Sequence, residues 1–139
     1  MARILAIDYG GKRTGIAVTD PLQICANGLD TVATTDLFDF LERYTQAEEV
    51  EQFVVGEPLN MDGTPTHNTQ PVYNFVKKLK AKYPTIPVAL IDERMTSKQA
   101  KQIIFDAGVK KKKRRDKSLI DKVSAVVILQ DYMQMNNPI

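Results

Sequence analysis

A chain of 139 residues fits one domain of common size and leaves no room for two substantial ones. Its 43% apolar and 26% charged content is ordinary for a globular protein, and no apolar run approaches the roughly 20 residues that span a bilayer, which excludes a membrane protein. The net charge of +2 is small, but it is unevenly distributed: removing the six consecutive basic residues Lys110 to Arg115 from the 19 leaves 13 against 17 acidic residues, a balance of −4.

Arg3-Ile-Leu-Ala-Ile-Asp8 is an apolar run of strand formers, Gly10-Gly11 breaks it, and Thr14-Gly-Ile-Ala-Val-Thr19 resumes it, which predicts a hairpin. A third strand is expected around Ala26 to Thr34, weakened by Asn27, Gly28 and Asp30, and completes a three-strand meander. Leu37, Phe40, Leu41 and Tyr44 then recur at helical spacing behind Thr35 or Asp36, either of which can cap a helix running to about Glu49. Phe53-Val-Val55 reads as a short buried strand ending at Gly56, and Pro58, Asn60, Asp62, Gly63 and Pro65 describe a long irregular loop after it.

Thr66 can start a second helix that carries Val72, Phe75, Val76 and Leu79 inward and closes near Tyr83-Pro84. Pro87-Val-Ala-Leu-Ile91 is the next buried strand, ended by Asp92-Glu93-Arg94. Thr96 with Gln99 forms a capping box for a following helix that stops at Gly108. The basic block comes next, and a last helix from about Lys117 to Met135 has an almost wholly apolar centre, Val123 to Leu129.

Three antiparallel strands followed by alternating helices and parallel strands predict an α/β fold of RNase H-like topology: a mixed five-stranded sheet, three antiparallel strands then two parallel, with helices on both faces. The reading is a single domain over residues 1–139 with a flexible basic loop at about 109–116. The carboxyl ends of such strands gather at one edge, where ligands of open α/β sheets bind. Asp8 closes the first strand, Glu93 follows the last, and Asp121 opens the final helix, with the small Ser124 and Ala125 one turn on. Carboxylate oxygens suit Mg²⁺ or Mn²⁺, and phosphodiester hydrolysis commonly uses two such ions about 4 Å apart. Each acid also has a plain structural reading: Asp8 can serve the turn, Glu93 can pair with Arg94 or cap a helix, and Asp121 can favour its helix's positive end.

Taken together, Asp8-Tyr-Gly-Gly-Lys-Arg-Thr-Gly-Ile-Ala-Val18, Val54-Val-Gly56 continuing through Pro58-Leu-Asn-Met-Asp-Gly-Thr64, Asp92-Glu-Arg-Met-Thr96 and Asp121-Lys-Val-Ser-Ala-Val-Val-Ile-Leu129 resemble the YqgF/RuvX family of bacterial RNase H-like proteins. The resemblance runs over nearly the whole chain in order. It implies a cytoplasmic nuclease that trims the 5′ end of the precursor of 16S ribosomal RNA, a family formerly described as Holliday junction resolvases, with Asp8, Glu93 and Asp121 as the acidic metal ligands. The lack of a signal peptide's long apolar stretch and the single cysteine, Cys25, suit a cytoplasmic location.

Glu57 departs from the family pattern, which has an apolar residue there more often; related junction resolvases carry an acid near the end of this strand, so Glu57 is a reserve ligand. Lys12, Arg13, Arg94 and the run Lys110, Lys111, Lys112, Lys113, Arg114 and Arg115 are expected to contact phosphates, which strengthens binding without specifying sequence. His67 reads as a surface residue, and Tyr9 can either stack on a base or pack on the domain.

Three functions are compatible with these residues. The first is a metal-dependent endonuclease acting on ribosomal RNA precursor or on branched DNA, with a ribosomal or assembly-factor partner, working as a monomer or weak dimer; a resolvase would need a two-fold dimer to cut symmetrically. The second is a phosphotransferase of the actin and sugar-kinase type, which requires a second comparable domain to enclose nucleotide. The third is a non-catalytic RNA-binding assembly factor.

Overall fold

The computed structural model describes residues 2–93, 102–103 and 117–136. β1 (Arg3–Asp8), β2 (Arg13–Thr19) and β3 (Ala26–Ala33) form the antiparallel meander, and β4 (Val50–Glu57) and β5 (Val88–Asp92) join in parallel on the other side of β1. The sheet order is β3-β2-β1-β4-β5, so β1 is central and the carboxyl ends of β1, β4 and β5 share one edge. The expected mixed five-stranded sheet is present. β4 is longer than the Phe53–Val55 core of its pattern because Val50 pairs with Arg3 and Gln52 with Ile4, although Glu51 and Gln52 are polar.

Alternation along the strands sorts the core into two layers. Leu5 and Ile7 of β1, Ile16 and Val18 of β2, and Phe53 and Val55 of β4 pack with α1 (Leu37–Ala47) and α2 (Thr69–Lys82) through Leu37, Leu41, Val72, Phe75, Val76 and Leu79. The intervening residues Ile4, Ala6, Ala17, Val54 and Ile91 pack with Ala125, Ile128 and Leu129 of α3 (Lys117–Asn136). Burying each large apolar side chain contributes about 1.5–3 kcal/mol, so both layers hold the sheet between its helices. By the same alternation Asp8, two residues beyond Ala6, lies on the α3 side of the sheet.

α1 begins at Leu37 behind Asp36, as the spacing predicts, but its cap and the start of α2 differ from those read in the sequence. A 3₁₀ turn, Thr34–Asp36, precedes α1, and Asp36 stands at the helix start without a side-chain bond to it. Thr34 instead turns its hydroxyl to the Gly10 carbonyl at 2.6 Å, which ties the start of α1 to the β1–β2 turn. α2 begins at Thr69 rather than Thr66 because Thr66 is consumed by a local turn: its hydroxyl accepts from the Asn68 amide, and its own amide donates to Thr69 Oγ1 at 2.8 Å. Thr69 Oγ1 in turn donates to the Pro58 carbonyl at 2.5 Å, fastening the loop after β4 to the helix. Arg94, the Thr96–Gln99 capping box, Gly108 and the run Lys110 to Arg115 lie outside the described residues.

Candidate active site

The meeting of α3 with the sheet is set by small residues. A Cβ on Gly15 of β2 would lie 2.0 Å from the Asp121 carbonyl, and one on Gly56 of β4 would lie 2.6 Å from Glu93 Oε2. Glycine at these two positions therefore lets the first turns of α3 settle on β2 and lets the Glu93 carboxyl fold back over β4. The Glu93 amide also donates to the Glu57 carbonyl at 3.1 Å, which extends the β4–β5 pairing by one bond and fixes where Glu93 leaves the sheet.

Asp8, Glu93 and Asp121 thereby line one cleft of about 270 Å³, together with Tyr9, Gly10, Arg13, Pro58, Leu59 and Asn68. The Glu93 carboxyl donates a hydrogen bond to the Asp8 carboxylate. Burial and the nearby Asp121 charge push Asp8 up to about 6, opposed by that hydrogen bond. Burial, the Asp8 charge and the same hydrogen bond push Glu93 up to about 9, with a further contribution from Asp92. Two carboxyls this close cannot both ionise comfortably, so the pair retains one proton at neutral pH. Asp121 is instead held by Arg13, whose Nε donates to Oδ2 at 2.9 Å.

The turn that presents Asp8 is tight at Gly10, where a Cβ would come 2.4 Å from the Arg13 carbonyl, and open at Gly11. Opposite it, the loop after β4 is closed by its own bonds: Asn60 Nδ2 donates to Thr64 Oγ1, Thr64 donates to Asp62 Oδ1, and Gly63 adopts a φ of 87°. This brings Pro58 and Leu59 to the cleft wall.

Of the residues singled out in the sequence, the structure brings together Asp8, Glu93, Asp121 and Arg13. Lys12 is exposed at the tip of the turn and does not line the cleft. Glu57 points the other way: it follows Phe53 and Val55 onto the α2 side, where Tyr73 donates a hydrogen bond to its Oε2 at 2.5 Å and has its own acidity lowered as a result. His67 is exposed outside the cleft, while its neighbour Asn68, unremarked in the sequence, lines it. Among the described residues no three acidic, histidine or cysteine side chains converge closely enough to hold an ion as they stand, and Asp121 is paired with Arg13. No helix among them is long and apolar enough to cross a membrane.

Comparison with known proteins gives this cleft its context. A protein of Christiangramia forsetii is 53% identical over 133 residues, covering 96% of this chain and 98% of its own length. One of Porphyromonas gingivalis is 51% identical over 138 residues, covering 99% of each chain. Both bear the name "Putative pre-16S rRNA nuclease". Among solved structures, RuvC of Thermus thermophilus in complex with Holliday junction substrate has the same fold at a TM-score of 0.54 and 18% identity, covering 98% of this chain and 96% of its own. The family model described as "RuvX: Holliday junction resolvase" matches residues 2–135, and the chain belongs to that RuvX family.

Proposed function

We propose that this protein is a divalent-metal-dependent endonuclease that hydrolyses phosphodiester bonds in structured RNA and processes the 5′ end of pre-16S rRNA in the cytoplasm. The observation that carries the reading is that Asp8, Glu93 and Asp121 line one cleft at the carboxyl end of the central strand, with the Asp8 and Glu93 carboxyls both pushed up by burial and by neighbouring carboxylate charge. A like-charged pair of oxygen donors is relieved by a proton or by a hard cation, so the donor set fits Mg²⁺ or Mn²⁺. Asp8 and Glu93 would hold the ion, and Asp121 would join them on leaving Arg13. When bound, such ions activate water and stabilise the leaving oxygen of a phosphodiester.

The chain's own groups do the rest. Arg13 offers a guanidinium at the cleft to a phosphate oxygen, which is the geometry that side chain is suited to. Gly10 and Gly11 keep the turn beside Asp8 clear of side chains, so a phosphate can approach the carboxylate. Pro58 and Leu59 wall the opposite side and limit water. Arg94 and the run Lys110 to Arg115 add phosphate contacts in this reading.

The names borne by the relatives support RNA as the substrate. The family description favours a second reading, resolution of four-way DNA junctions. The test is cleavage of an end-labelled RNA spanning the 5′ leader of the small-subunit rRNA precursor beside a four-way DNA junction, with Mg²⁺ or Mn²⁺. Cleavage of the RNA supports processing, junction-only cleavage supports the resolvase, and cleavage of neither, with binding retained, supports a non-catalytic assembly factor.

A further inference from the structure

A second cavity, of about 360 Å³, opens on the α1–α2 side of the sheet next to the carboxylate cleft, and Tyr9 lines both. Its floor is aromatic: the Tyr9 ring stacks on Phe75 with centroids 4.7 Å apart and planes 20° from parallel, and Phe38 tilts against Phe75 at 5.5 Å. Its rim is polar, formed by Thr34, Asn74 and Lys78. The Asn74 side-chain carbonyl accepts from Gln70, a bond that does not use its NH₂ group.

The helix that supplies this rim is one-sided in charge. α2, Thr-Gln-Pro-Val-Tyr-Asn-Phe-Val-Lys-Lys-Leu-Lys-Ala-Lys, has four lysines and no carboxylate, and Lys77, Lys78, Lys80 and Lys82 are all exposed. Lys82 is engaged by Glu42 at 3.5 Å and sits over the Phe38 ring. Lys78 lines the cavity, and Lys77 precedes it on the helix.

We infer that this cavity receives an unpaired nucleobase of the substrate, one nucleotide from the scissile phosphate, while Lys77 and Lys78 contact the adjoining backbone. The inference rests on the nuclease reading and adds that the substrate is single-stranded or splayed at the cut. Tyr9 directly follows Asp8, so the two side chains leave the backbone about 3.8 Å apart, on opposite sides of the sheet edge. A nucleotide whose phosphate meets Asp8 thus has its base within reach of the ring. An aromatic floor with a polar rim is the usual receptor for a splayed base, since every base has a π-face to stack and edges to hydrogen-bond. A helix that carries four lysines and no carboxylate of its own, with Lys82 paired to Glu42, matches a phosphate backbone.

The test reads binding apart from cleavage. Single-stranded RNA and DNA oligonucleotides carrying 2-aminopurine beside the scissile position, and a fully paired duplex of the same sequence, are titrated in EDTA while quenching and affinity are followed. Quenching with the wild-type protein, retained in Tyr9→Phe and lost in Tyr9→Ala with at least about a 5-fold weaker affinity, is the expected result. Because Tyr9 packs on buried Phe75, the surface variant Lys78→Glu serves as a check that does not depend on the aromatic stack. It should weaken single-strand binding and lower its salt dependence. The ratio of RNA to DNA affinity tells which sugar the site accepts. Equal affinity of wild type, Tyr9→Ala and Lys78→Glu for the single strands, or tighter binding of the duplex than of either single strand, would overturn the inference. Loss of the nuclease reading alone would instead leave these binding differences intact without cleavage.

Discussion

The Glu93 carboxyl donates its proton to a hydrogen bond with the Asp8 carboxylate, across the gap between the ends of β5 and β1, although 85 positions separate the two residues in the chain. Gly56 of β4, the strand between them, makes this contact possible, because any side chain there would meet Glu93.

The pair makes stability depend on pH with a definite sign. Both acids have folded values raised above their ordinary ones, so the stability they contribute is complete in acid and is lost as pH rises through the folded values, about 6 for Asp8 and about 9 for Glu93. Thermal melts of protein in EDTA should show Tm falling from about pH 5 to about pH 9 relative to Asp8→Asn, which lacks the second charge. Mg²⁺ or Mn²⁺ should raise the wild-type Tm, and by more at higher pH, where fewer protons compete for the oxygens. A metal-induced increment that shrinks as pH rises would contradict this.

Arg13 should have opposite effects on two ligands. Its guanidinium holds Asp121 at 2.9 Å in a partly exposed pair, so Arg13→Gln releases a carboxylate and removes a positive charge from the cleft. Divalent-ion affinity measured by calorimetry should rise, while affinity for a short RNA should fall and its salt slope decrease by about one.

Backbone approach at Gly15 makes a prediction with an internal control. Alanine there places a methyl 2.0 Å from the Asp121 carbonyl, so α3 must move, at a cost of at least about 1–3 kcal/mol in denaturant unfolding and with loss of cleavage. Gly11→Ala meets nothing within 4 Å and should leave stability within about 0.5 kcal/mol of wild type.

Glu57 supplies a negative prediction. Its bond to Tyr73 lies on the α2 side of the sheet, away from the cleft, so Glu57→Gln should leave metal affinity and cleavage within about 2-fold of wild type, a change worth only about 0.4 kcal/mol. A loss as deep as that of Asp8→Asn would reinstate Glu57 as a ligand.

The sheet was legible because its signals are local: apolar runs at period two, broken by Gly10-Gly11 and by the proline-rich loop, mark strands whose order follows from crossover rules. Asp8, Glu93 and Asp121 could be singled out because each sits at the end of an element. Other features depend on facing, which a short apolar strand does not advertise. Phe53-Val-Val55 is apolar on both faces, so nothing local indicated that Glu57 would leave with Phe53 and Val55 while Glu93 crossed to the other side. The start of α1 after Asp36 was legible, whereas α2 starts three residues beyond Thr66, because Thr66 spends its hydroxyl and amide on a local turn with Asn68 and Thr69 and the Thr69 hydroxyl reaches the Pro58 carbonyl. The lysine face of α2 was present in the sequence as Lys77-Lys78 and Lys80, but its relation to the cleft appears only when Tyr9 is seen against Phe75.

The most direct test of the central claim is Mn²⁺-dependent cleavage of an end-labelled structured RNA by the wild-type protein and by Asp8→Asn under identical conditions. The account predicts cleavage that requires the ion and falls more than about 100-fold in the variant, beyond the loss typical of groups that only support a metal site. Equal cleavage by both proteins, or cleavage undiminished in EDTA, would contradict it.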